Sequence, residues 1–197
     1  MKHRISLCIS ALCFFTAFLI TMSSRTAGEE ALAARIAPEI LRFHILAESN
    51  AAHDQELKIG LKGLVLDYVH SQVPDSAGKE GLLEWLENNR TSIETMSEDW
   101  LADQGAPYGV TLEITKDYFP TKAYGDMVFP CGTYDAVRIT IGQGKGHNWW
   151  CVMFPDLCVT KDDKVRINST ARKKMEKLLG KKTIRKITKD KYLGWLF

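Results

Sequence analysis

Residues 136–158 read "AVRITIGQGKGHNWWCVMFPDLC". Val137, Ile139 and Ile141 alternate with Ala136, Arg138 and Thr140, the two-residue period of a half-buried strand. "NWWCVMF" reads as a further strand, and "GQGKG" between them reads as a hairpin turn. The glycines do not make a phosphate loop. Lys145 is followed by Gly146 and an aromatic strand, where a phosphate loop needs Ser or Thr and then a helix whose amides point at the anion. Trp149 and Trp150, adjacent in a strand, point to opposite faces, so one belongs to the core. The other needs a cover from the helices or a partner.

Upstream, Val110, Leu112 and Ile114 of "VTLEIT" keep the same alternation. Before that strand the period is helical. Leu57, Leu61, Leu64, Val65, Tyr68 and Val69 form one apolar face, with Ser49 or Asn50 placed as a cap. Leu82, Leu86, Ile93, Met96 and Trp100 form the face of a second helix, from about residue 79 to the "GAPYG" break. "ILRFHILA", residues 40–47, reads as a strand ahead of both helices. The order implies an α+β fold: a single domain, a strand followed by two helices and a mostly antiparallel β-meander, with helices on one face of the sheet.

Charge and hydropathy set the domain limits. Lys2, His3 and Arg4 precede the uncharged run Ile5–Ile20, the pattern of an export signal. Residues 1–27 are therefore read as a signal peptide or an N-terminal membrane anchor, and residues 28–39 as a linker or short helix. Residues 40–160 form the domain, and 161–197 a basic tail with a short helix capped by Ser169 or Thr170. The chain carries +2 overall, but +9 lies in the tail and −7 in the rest. The tail is either a solvated run or a contact with anionic lipid, helped by Trp195, Leu196 and Phe197. Nucleic acid is an unsuitable partner for an exported chain with an acidic body.

Export also governs the cysteines, since thiols outside the cytoplasm tend to oxidise. Cys151 and Cys158 flank "VMFPDL", where Pro155 and Asp156 favour a turn. A disulfide across that loop would add roughly 2–3 kcal/mol in the loop-entropy model. Cys131 is then unpaired or a competing partner. No catalytic constellation emerges. His147 and Cys151 share a strand face, but lie about 13 Å apart at strand rise, and a disulfide-bonded sulfur cannot attack. His44, His53, His70 and His147 are scattered without metal-ligand spacing. Asp117, Asp126 and Asp135 fall in one aromatic-rich region, with nothing to set two of them at a working separation. No enzyme activity, cofactor, metal or small-molecule substrate is expected. An exported cell-wall or peptide hydrolase is the competing class.

The same central block, with "YFPTKAYGDMVFPCGTYDAVRITIG" before it and "RFHILAESN" and "DQELK" far upstream, resembles the stage II sporulation protein R family of endospore-forming bacteria. The resemblance runs from about Leu41 to Val159 and takes in His44, Ser49, Asn50, Asp54, Gln55 and Lys58. Two positions depart from the pattern: Cys131 stands where a small residue is usual, and Asp156 replaces a second proline. The resemblance implies a signal made in the forespore and exported into the intermembrane space facing the mother cell. There it would activate a membrane-embedded aspartic protease that processes pro-sigma-E. Lys122, Tyr124, Asp126, Asn148, Trp149 and Trp150 are the expected partner-binding residues.

Overall fold

The computed structural model describes residues 2–158 and 169–188. Its strands are β1 (Leu41–Leu46), β2 (Val110–Phe119), β3 (Lys122–Tyr124), β4 (Met127–Phe129), β5 (Gly132–Ile141) and β6 (Asn148–Phe154). Four of them make one sheet in the order β2-β5-β1-β6, and β3 and β4 make a separate hairpin. The chain is α+β, as the alternation of periods implies.

The arrangement differs from a simple meander at one place. β5 and β6, consecutive in the sheet sequence, are not neighbours, because β1 lies between them. β1 runs parallel to β5, with Phe43 beside Val137, and antiparallel to β6, with Phe43 beside Cys151. The "GQGKGH" segment is therefore a crossing over the end of β1 and not a hairpin turn. β1 suits the central place because Leu41, Phe43 and Ile45 fill one face completely. Its ladder groups are paired on both sides, as a buried strand requires.

The helices are α1 (Lys2–Ile36), α2 (Ala52–Gln72), α3 (Gly78–Asn88), α4 (Arg90–Asp103) and α5 (Ser169–Ile187). On one face of the sheet, Leu61 and Val65 of α2, Leu86 of α3 and Ile93 of α4 pack on Phe43, Ile45, Val137 and Ile139. The single second helix expected from residue 79 onward is two helices. Asn89 leaves helical geometry at φ −110° and ψ 10°, and its side-chain amide donates to the Trp85 carbonyl at 2.8 Å. Neither Ser49 nor Asn50 caps α2, whose N-cap is Ala51. Both side chains are used elsewhere, as described below.

The opposite face is also covered, by a second cluster. Leu32, Ala33 and Ile36 of α1, the β3–β4 hairpin, and Met175, Ile184 and Ile187 of α5 pack on Phe119, Tyr134, Ala136 and Val152. α1 is continuous from the apolar N-terminal segment into this cluster, so residues 28–36 are part of the domain's packing. α5 contains the short helix expected, from Ser169 to a break at Gly180 (φ 77°, ψ 146°), and a second helical stretch continues from there to Ile187. Trp195, Leu196 and Phe197 lie outside the described residues.

Gly146 gives a test of the crossing. A Cβ there would run into the Ser49 carbonyl, a backbone group that cannot swing aside. Gly146→Ala is expected to cost about 2 kcal/mol or more in urea denaturation. Gly63→Ala is the control. It lies inside α2 with open space around the new methyl, and should raise stability by about 0.5–1 kcal/mol.

Candidate functional site

The segment after β1, "AESN", receives the crossing loop through main-chain bonds. Gly146 N–H donates to the Ala47 carbonyl at 2.9 Å, and Lys145 N–H to the Glu48 carbonyl at 3.1 Å. His147 N–H donates to Asn50 Oδ1 at 2.7 Å, and Gln143 N–H to the Glu48 carboxylate. Lys58 Nζ, largely buried on α2, donates to the His147 carbonyl at 2.8 Å and to Gln55 Oε1 at 2.5 Å. Gln55 Nε2 donates to the Ser49 carbonyl at 2.8 Å, and Ser49 Oγ donates to Asp54. Gly144 adopts φ +62°, a region that favours glycine, where a Cβ would lie 2.6 Å from the Thr140 methyl. Two sequence blocks almost a hundred residues apart are thus halves of one clamp.

The sheet face opposite α2–α4 carries the polar chemistry. His44 is buried, with Nε2 at 2.9 Å from Asp117 Oδ2 and Nδ1 at 3.2 Å from Asn148 Oδ1. Trp150 stacks on the imidazole, with centroids 4.9 Å apart and planes 3° from parallel, while Phe119 meets it edge-on. Asp117 also accepts from Arg138 Nη1 at 3.1 Å, and Arg138 Nε and Nη2 donate to Glu113 at 3.0 and 2.9 Å. The row Glu113, Arg138, Asp117, His44, Asn148 therefore spans all four strands. It becomes more solvent-accessible toward Glu113, whose side chain is 44% exposed against 5% for His44.

Beside this row, Arg42 is fully buried among the rings of Phe119, Tyr124, Phe129 and Tyr134, 4.4–5.7 Å from their centroids. Its Nε donates to the Cys151 carbonyl at 3.0 Å and its Nη2 to the Tyr124 hydroxyl at 3.2 Å. Among the described residues Nη1 has no hydrogen-bond partner. Burial lowers the guanidinium pKa from its ordinary value, while Tyr124 and Tyr134 oppose that effect.

The expected partner-binding residues fall unevenly. Lys122 and Asp126 lie on the β3–β4 hairpin, with Asp126 exposed at its turn and ion-paired to Arg172 of α5. Tyr124 is buried in the Arg42 cage, so it cannot meet a partner directly; its place on that expected surface is corrected to an internal one. Asn148 and Trp150 join the His44 row, on the same side as the hairpin. Trp149 faces the helical side, edge-on to Phe43 and under Lys62 Nζ at 4.9 Å.

Cys151 and Cys158 are joined by a disulfide with Cα atoms 5.6 Å apart, and Cys131 is a free thiol whose pKa burial raises. His147 lies in the loop before β6, not in the strand with Cys151. The three aspartates lie in three separate polar groups: Asp117 pairs with Arg138 and is hydrogen-bonded to His44, Asp126 pairs with Arg172, and Asp135 pairs with Lys79 at 2.7 Å and Lys116 at 3.4 Å. Among the described residues no group of three or more His, Cys, Asp or Glu could hold a metal ion.

The comparisons decide the family. A model of the stage II sporulation protein R family matches residues 37–164. The chain belongs to the stage II sporulation protein R family. It is 31% identical over 160 residues to the stage II sporulation protein R of Bacillus subtilis (strain 168), covering 80% of this chain and 71% of that protein. No solved structure matches. Within the family match, most of the polar residues that carried the resemblance belong to the crossing clamp or to the His44 row.

Arg42, Glu113, Asp117 and Arg138 were not singled out as a set from sequence. The available signal was period two: Arg42 and His44 are two apart in an otherwise apolar strand, so their side chains share a face. Burial lowers the His44 pKa, although the bonds to Asp117 and Asn148 push it upward. The folded ring then binds fewer protons than the unfolded one, so stability is full above about pH 6.5 and falls as pH drops through that value. Asp135 acts in a more acidic window: burial pushes its carboxyl up, but Lys79 and Lys116 hold it below the usual value. The urea midpoint is expected to decline between about pH 7 and pH 5, and His44→Gln to flatten that decline.

Proposed function

We propose that this protein is an exported signal of sporulation. It leaves the forespore and activates the membrane-embedded aspartic protease that processes pro-sigma-E in the mother cell. Family membership supports a role in sporulation, and α1 supports export. Among the described residues α1 is the helix long and apolar enough to cross a membrane, by length and composition, and none of its apolar window is buried.

One observation carries the activator reading. The hairpin with Lys122 and Asp126, the open end of the Glu113–Arg138–Asp117 row, and Asn148 with Trp150 lie on one side of the sheet. That side is also the one on which the end of α1 packs. The arrangement offers a polar, partly aromatic surface next to the membrane-directed helix, suited to the outer portion of a membrane protein. Binding would activate the protease only if its active state holds this surface more tightly than its idle state.

Co-expression of the full chain with the candidate protease and pro-sigma-E tests this, scored by processing. Lys122→Glu, Asp126→Lys and Glu113→Arg are each expected to lower processing severalfold, and together more than about tenfold, with export and fold retained. Normal processing by the triple variant would remove this surface from the reading. Complete loss from one Cys, His or Asp substitution, with partner binding intact, would favour the hydrolase class instead.

A further inference from the structure

The C-terminal helix α5 lies wholly outside the family match, which ends at residue 164, and serves no role in the proposed activation. Its buried positions are Met175, Ile184 and Ile187, in the same cluster as Leu32, Ala33 and Ile36 of α1. Apart from Gly180, its exposed positions are Lys173, Lys177, Lys181, Lys182, Arg185 and Lys186. Its acid, Glu176, faces Arg172 at 3.8 Å, and Arg172 also holds Asp126 of the hairpin. Among the described residues none of the six exposed cations has an acidic partner. A helix of such composition is not held together by its own charges, since like charges at four-residue spacing repel. The exposed cations line both helical segments of α5, Lys173 and Lys177 before the Gly180 break and the other four after it, and each segment is fixed by buried apolar residues, Met175 in the first and Ile184 and Ile187 in the second.

That cationic surface belongs to a helix packed in the same cluster as the end of α1. α1 exposes Phe14, Phe15, Phe18, Leu19 and Ile20 in its apolar part and enters the shared cluster at Leu32. Helical rise over the dozen residues between Ile20 and Leu32 is roughly 18 Å. The domain thus stands close above the surface of any bilayer that holds the apolar part, and the helix carrying the cations is attached on the α1 side. The first 160 residues carry −7, so an anionic surface repels the body while it attracts α5.

We propose that the exposed face of α5 binds the anionic headgroups of the bilayer entered by α1, fixing the domain's orientation on that membrane. A soluble acidic protein shares the charge but is not held beside the apolar helix as the bilayer is. The inference does not depend on the protease.

Full-length protein reconstituted into vesicles tests it, with lysine amines labelled by a membrane-impermeant acylating reagent and read by mass spectrometry. Vesicles are phosphatidylcholine alone or phosphatidylcholine with phosphatidylglycerol. Labelling of Lys177, Lys181 and Lys182 is expected to slow about tenfold in the anionic vesicles at low salt and to recover at high salt. Lys145, exposed on the crossing loop, should not change. In a Lys177→Gln, Lys181→Gln, Lys182→Gln, Arg185→Gln variant, Lys173 and Lys186 should label alike in both vesicles. Equal rates for the parent chain in both vesicles would overturn the proposal. So would slowing that follows protein concentration and not lipid charge, which would point to a second copy.

Discussion

β1 lies between two strands that follow one another in the chain, so the few residues joining those strands must cross its end. Most of what is unusual in the sequence follows from that constraint. The crossing loop has to pass against main chain, which leaves no room for a side chain at Gly146. Its amides and carbonyls then need partners away from any ladder, since unpaired buried groups cost more than a hydrogen bond returns. Asn50, Lys58 and the Ala47 and Glu48 carbonyls supply them. Ser49 and Gln55 hold the supplying segment in turn.

The face opposite α2–α4 is governed by charge. An ionised guanidinium without a carboxylate in a dry interior costs several kcal/mol. Arg42 offsets this with two hydrogen bonds and four ring faces, each worth about 0.5–2 kcal/mol by the usual cation–π range. The cage is closed by the β3–β4 hairpin, and Arg172 of α5 grips the hairpin's turn through Asp126. Movement of the hairpin would therefore change both the environment of a buried charge and the outline of the surface proposed for the partner. His44 shares Phe119 with Arg42, so the polar row and the cage are mechanically one unit.

Legibility in the sequence followed periodicity. The alternation in Val137, Ile139 and Ile141 and the three- and four-residue steps from Leu57 to Val69 marked a strand and a helix that the structure contains. Strand order was not legible, because nothing local distinguishes a turn that doubles back from a loop that crosses a third strand. The partner of Gly146 lies at Ser49, too distant along the chain for spacing to reveal. Tyr124 was misplaced for a related reason: an aromatic in a Gly-rich hairpin reads as exposed until the buried cation beneath it is known. The break at Asn89 was hidden by apolar residues that keep helical spacing on both sides of it.

The limits drawn by homology and those drawn by packing do not coincide. The matched region ends at residue 164 and begins at residue 37, yet Met175, Ile184 and Ile187 on one side and Leu32, Ala33 and Ile36 on the other fill the same cluster. A fragment trimmed to the matched residues 37–164 would bare Met127, Phe129 and Tyr134 to water. Such a fragment would be prone to self-association, and its behaviour would say little about the intact molecule. Any truncation meant to preserve the native surface has to keep the last two turns of α1 and the whole of α5.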